Sequence, residues 1–269
     1  MIKIYSTILL MRGIFQISKY IGFEEILSTI NAKNYDLRRE IQTIEVTREK
    51  RKNGVVFPLT EHVRGMVYAM LSNNRPWKGI EENIEKIDAI FHNFDIDYLL
   101  TVSPEELTRQ LTAIQCGNRQ IKRQMESLSE NIQTLQQIAA DHGSIDHYYN
   151  STDIDVVVKS LAYSGQKYKL NYMGLALVCE YLKGMGLDII KPDVHVCRII
   201  GRLGYSKHNP ATYWEAIDVS RSIAAEYNLS MAAVDTILWQ YGVENKLGIC
   251  GAEPKCSDCL AEHCSARNQ

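Results

Sequence analysis

An all-α fold is what this sequence predicts most directly, and three observations carry the prediction. Apolar residues recur at three- and four-residue spacing through most of the 269 positions. Short polar or glycine-containing breaks punctuate that recurrence, and alternation with period two is nearly absent. The alternating stretches 41–46 and 55–57 are too short and too weakly patterned to found a sheet. A hydrophobic content of 45% with 23% charged residues is that of an ordinary globular protein, which sets aside the disordered and fibrous classes.

Taken in chain order, the first apolar run, Ile8-Leu9-Leu10-Met11, is stopped by Arg12. It is too short to span a membrane and no small-residue cleavage site follows, so a cytoplasmic protein without a membrane anchor is expected. Helical spacing then covers 60–72, 79–93, 104–115, 119–139, 154–163, 172–183, 194–203, 211–227 and 230–241. Breaks at Asn73-Asn74-Arg75-Pro76, Cys116-Gly117-Asn118 and His142-Gly143-Ser144 separate them. Val196, Ile199, Ile200 and Leu203 form one stripe after Asp193, and Gly204 supplies a stop.

The net charge of −2 does not advertise a nucleic-acid partner. Basic clusters exist at Arg38-Arg39, at Arg48, Lys50, Arg51 and Lys52, and at Arg119, Lys122 and Arg123; on their own each reads as a solvated face. The seven cysteines are unevenly spread. Cys116, Cys179 and Cys197 stand singly in apolar surroundings, as buried structural thiols do. Cys250, Cys256, Cys259 and Cys264 crowd into C-x5-C-x2-C-x4-C, a set of soft ligands on short loops. Zinc and an iron–sulfur cluster both satisfy that chemistry; a single CxxC between two outlying cysteines suits the corners of a cubane better than paired zinc knuckles.

The segment from Leu170 to Gly204 resembles the signature of the helix–hairpin–helix DNA glycosylase superfamily, in which hairpin, helix and loop lead to an aspartate opening the next helix as in "VDTHV-R---RLG". Here the last part reads Pro192, Asp193, Val194, His195, Val196, Cys197, Arg198, then Arg202, Leu203 and Gly204. Two glycine sites compete for the hairpin. Gly184 and Gly186 leave six residues including Pro192 before Asp193, too few for the intervening helix; Gly174 leaves 175–183, about two and a half turns. The hairpin is therefore assigned to 170–174, with Tyr172, Met173 and Gly174 presenting backbone N–H groups to a DNA phosphate.

The resemblance implies several further roles. Asp193 becomes the catalytic carboxylate, stabilising an oxocarbenium-like sugar or orienting water, although an aspartate here is also a good N-cap. Ala176 stands where bifunctional members place a nucleophilic lysine, so base excision without strand cleavage is implied; Lys167, Lys169 and Lys183 are the nearby substitutes. Met70-Leu71-Ser72-Asn73-Asn74 is similar to the family's "LLSAQ", with Asn74 at the residue that fills the hole of an everted nucleotide and Arg75 or Trp77 adding bulk. The loop around Gly117, with Arg119 and Lys122, is similar to a family loop that approaches the DNA backbone. Trp239-Gln240-Tyr241-Gly242 before Cys250 looks like the element preceding the cluster in endonuclease III-like proteins, whose spacing is one residue longer in each outer loop; this favours a 4Fe–4S cluster over zinc.

The expected architecture is thus two helical domains. A six-helix barrel-like domain spans 58–186 and carries the hairpin; 1–57 and 187–269 form a second, holding the cluster loop 250–264 with Lys255 and Lys246 turned to phosphate. The expected protein is a monomeric base-excision glycosylase acting on double-stranded DNA. A bifunctional glycosylase/lyase, a DNA-binding protein without catalysis and a zinc-bound regulator are the alternatives. The sequence names no target base.

Overall fold

The structure, a computed structural model, describes residues 19–268. The apolar run Ile8–Met11 lies outside them. Among the described residues the chain is all-helical and no strand forms. No helix is long and apolar enough to cross a membrane.

The helices in order are α1 (Ile21–Ala32), α2 (Arg38–Lys52), α3 (Leu59–Leu71), α4 (Trp77–Glu81), α5 (Ile84–Ile90), α6 (Ile96–Thr101), α7 (Pro104–Ala113), α8 (Ile121–Glu126), α9 (Leu128–His142), α10 (Ile145–Ser151), α11 (Ile154–Ala162), α12 (Leu175–Gly184), α13 (Val194–Arg202), α14 (Tyr213–Tyr227) and α15 (Met231–Gly242). Many begin on a side chain that satisfies an orphan amide. Ser103, Ser144, Asp153 and Ser230 cap α7, α10, α11 and α15, and Thr212 forms a reciprocal capping box with Glu215 at α14. Segment 41–46, a weak strand candidate by alternation, lies inside α2, and 55–57 pairs with no strand. Helices α6 and α10, only six and seven residues long, escape periodicity because fewer than two turns cannot display it.

The chain divides into two compact units, one running to Val46 and resuming at Asp188, the other from Thr47 to Leu187. In the second unit α3 packs on α12 and α9, and Met66, Val67, Met70 and Leu71 of α3, Tyr181 of α12 and Leu135 of α9 are all buried. Each such side chain contributes roughly 1.5–3 kcal/mol on leaving water. In the first unit α13, α14 and α15 pack together around Val196, Ile199, Ile200, Ile217 and Leu238, and the stripe read after Asp193 is buried throughout.

Within the second unit, Arg51 ties residues 47–57 to α10 and to the end of α12. Arg48 and Arg51 are buried, not solvated as a basic run suggests. Arg51 donates Nε to the Met185 carbonyl at 2.7 Å, Nη1 to Asn150 at 2.9 Å and Nη2 to Asp146 at 2.6 Å. The Phe57 amide also donates to Asp146, and His62 stands 3.3 Å from it with its other ring nitrogen on Tyr181 Oη at 2.8 Å.

Helix α12 ends at Gly184, and Gly186, two residues on, turns the chain through the left-handed region at φ +81. A Cβ there would meet the Thr47 carbonyl oxygen at 2.7 Å. Gly186→Ala therefore combines a disfavoured φ with a backbone clash, and about 1–3 kcal/mol of stability is expected to be lost. A fall in the urea midpoint reads this out; an unchanged midpoint refutes it.

Candidate functional site

Asp193 follows Lys191-Pro192, a segment held by the first unit's core. The Lys191 N–H donates to the buried Asp235 carboxylate at 3.1 Å, and the Lys191 carbonyl accepts the Asp193 N–H at 2.8 Å. Asp193 then caps α13: its Oδ1 accepts the His195 N–H at 2.9 Å and the Val196 N–H at 3.1 Å. Its Oδ2 accepts from no described residue, and the side chain is only partly buried. The carboxylate is thereby oriented through Oδ1 alone. His195 turns to the Gly242 carbonyl, 3.2 Å from Nδ1, and is structural.

The four C-terminal cysteines line one small cavity together with Ile249, Pro254 and Arg267. None is in a disulfide, and all four are partly exposed. No three acidic, histidine or cysteine side chains among the described residues gather closely enough to share a single metal ion. Sequence reasoning named Arg202 and Tyr241 only as parts of motifs. The structure puts Arg202 Nη1 3.4 Å from Cys250 Sγ and the Tyr241 hydroxyl 2.9 Å from Cys259 Sγ. Burial pushes the Cys250 thiol up, and Arg202 pulls it partly back. Helix α1 braces the same loop through Thr29, which accepts the Leu260 N–H at 3.0 Å, and through Lys33, 3.3 Å from Asp258.

In the second unit the hairpin assigned to 170–174 precedes α12, with Gly174 at the helix N-cap and no side chain capping it. Tyr172, exposed at the tip, takes φ +56 where the superfamily pattern has glycine. That conformation costs an ordinary residue about 1–2 kcal/mol. It is held by Asn131, fully buried on α9, which accepts the Asn171 N–H at 2.6 Å and donates to the Asn171 carbonyl at 3.0 Å. No local pattern marks Asn131, since its partner lies forty residues on. Met173 is fully buried, so its side chain serves the core and only its backbone is available to a ligand.

The loops at 74–75 and 115–118 are brought together. Arg75 donates to the carbonyls of Gly117 and Gln115, and Asn118 donates to the Met70 carbonyl at 2.9 Å. Asn74 is exposed at φ +50. Arg119 and Lys122 are exposed, Lys122 standing 3.9 Å from Glu126.

The three lysines near Ala176 are all engaged. Lys167 pairs with Asp141 at 2.6 Å and Lys183 with Glu180 at 3.0 Å. Lys169 donates to the Leu170 and Met173 carbonyls, and burial pulls its amine below the usual range.

Among solved structures, the chain is similar to the 8-oxoguanine DNA glycosylase of Thermotoga maritima, with a TM-score of 0.56 and 16% identity over 81% of this chain and 95% of that one. The two share a helical fold. No family model matches the chain, and no curated protein matches it.

Proposed function

We propose, from a fold shared with a DNA glycosylase, that this chain is a base-excision glycosylase that hydrolyses the bond between a damaged, mismatched or modified base and its sugar in double-stranded DNA. The observation that carries the reading is Asp193, whose Oδ1 is fixed by two helix amides while Oδ2 stays free. As the base departs, positive charge develops on the sugar, and a fixed carboxylate stabilises it or orients the attacking water without reorganising. The base reaches such a group only after leaving the stack.

Unprotected backbone supports the DNA contact. The first amides of α12 lack a side-chain cap, and space is open where a Gly174 Cβ would stand although its φ of −75 suits any residue. The protein itself does not need glycine there; a phosphate approaching those amides does. Gly174→Ala is expected to change stability by less than about 1 kcal/mol. It should weaken duplex binding by about tenfold at fixed salt, the worth of one charge-assisted hydrogen bond. Fluorescence anisotropy measures this, and undiminished affinity removes the hairpin from the interface. Asn74, Arg119 and Lys122 are the further contacts in this reading, with Arg75 and Gly117 shaping their loop.

The four thiols suit a 4Fe–4S cluster. The donor set is all sulfur, it rings a cavity rather than a point, and N–H and O–H groups are directed at two of the sulfurs. Cys250, Cys256, Cys259 and Cys264 would hold it. When bound, it supplies a covalent tie that fixes loop 250–264 and with it Lys255. Zinc is the competing occupant, and iron and sulfide analysis separates the two.

Ala176 supports excision without strand cleavage, because an alanine forms no Schiff base. The test is a base-release assay on duplexes carrying a lesion panel that includes 8-oxoguanine, with strands read before and after alkali. Alkali-dependent cleavage is expected. Cleavage without alkali transfers the protein to the glycosylase/lyase class, and binding without release on any lesion favours a non-catalytic DNA-binding protein.

A further inference from the structure

The four sulfurs do not share the same surroundings. Tyr241, buried on α15, donates its hydroxyl to Cys259 Sγ at 2.9 Å, and the Ala261 N–H reaches the same sulfur at 3.3 Å. Arg202, closing α13, sits 3.4 Å from Cys250 Sγ while gripping the Gly251 and Ala252 carbonyls at 2.7 and 3.0 Å. Cys256 instead points its thiol at the Ala266 carbonyl, 3.7 Å away, and no described residue donates to the sulfur of Cys256 or Cys264.

Two helices of the first unit thus each deliver one polar donor to one side of the cysteine cavity. Structural burial alone does not require this. Arg202 already donates to two carbonyls, and the Thr29 side chain also stands beside the Tyr241 hydroxyl. We propose that Tyr241 and Arg202 are positioning residues that set the reduction potential of the group held by the four cysteines, a claim that rests on reading those thiols as cluster ligands.

The sign follows from electrostatics. Adding an electron to such a cluster raises the negative charge on its sulfurs, so a donor pointed at a sulfur stabilises the reduced form more than the oxidised one. In a buried setting the effect is enlarged because little water screens it. Tyr241 and Arg202 therefore raise the potential, acting on the Cys259 and Cys250 side only.

The experiment compares wild type with Tyr241→Phe, a change that removes one oxygen and keeps the ring in place. Iron and sulfide are counted first. The one-electron couple is then titrated anaerobically with dithionite and mediator dyes, followed by visible absorption. Equal iron content is expected, with the ratio of reduced to oxidised protein at a fixed potential falling about tenfold in the variant, about 59 mV for one electron. Should Tyr241→Phe come out iron-free, Arg202→Lys carries the same test, because lysine keeps the charge without reproducing the guanidinium fork. An unchanged potential in an iron-replete variant overturns the inference and leaves the cluster reading standing. Wild type without iron and sulfide overturns the cluster reading itself, and this inference with it.

Discussion

Replacing Asp193 by asparagine is expected to lower single-turnover base release by about 10²–10⁴-fold, the usual worth of a positioned carboxylate in acid–base work. The substitution is informative because asparagine separates the helix cap from the catalytic task proposed for Asp193. Its Oδ1 caps α13 by accepting from His195 and Val196. An asparagine oxygen accepts the same two bonds, and the two residues are near equals at this position. The helix should therefore survive, with thermal unfolding shifted by no more than a few tenths of a kcal/mol and duplex affinity preserved. What asparagine lacks is the negative charge on the free oxygen. Asp193→Ala makes the contrast, adding the lost cap, about 1 kcal/mol, to the lost activity. Full base release by Asp193→Asn would move catalysis to another group.

The largest effect on stability is expected at a residue to which no chemistry is assigned. Asp146→Asn should cost about 3–5 kcal/mol, since it leaves a buried guanidinium without its counter-charge. Asp146 is 2% exposed and Arg51 8%, so water does not take over the lost pairing. A domain of ordinary stability holds only about 5–15 kcal/mol in total. Urea unfolding reads the loss directly, and a change below 1 kcal/mol would show that Asn150 and Met185 suffice for Arg51.

The same site carries a pH signature. Burial pushes the Asp146 carboxyl upward, but His62, the Phe57 amide and Arg51 outweigh it and hold the group below the usual carboxylate range. A folded value below the unfolded one means that the stabilisation is complete above the unfolded value, about 3.9. It drains as pH falls through the lower folded value. Wild type should thus lose stability on acidification below about pH 4 more steeply than Asp146→Asn does.

The amino-acid pattern alone determined the helical class, because a 3.6-residue period is a local property that each segment displays by itself. It also marked the four clustered cysteines, by spacing, whereas Asp193 stood out only through the resemblance of its segment to the superfamily signature. Within that resemblance, counting assigned the hairpin to 170–174, because only Gly174 leaves room for a helix before Asp193. Tertiary structure alone decided the fate of the basic run 48–52. Arg51 reads as a solvated charge until Asp146, ninety-five residues away, is brought against it. The left-handed turn at Tyr172 depends in the same way on Asn131, forty residues before its partner Asn171. Arg202 and Tyr241 look like motif filler until folding carries them to sulfurs 48 and 18 residues downstream. Periodicity, capping and spacing are written within a few turns of chain; the pairing of buried polar groups is fixed only when packing removes the water that would otherwise satisfy them.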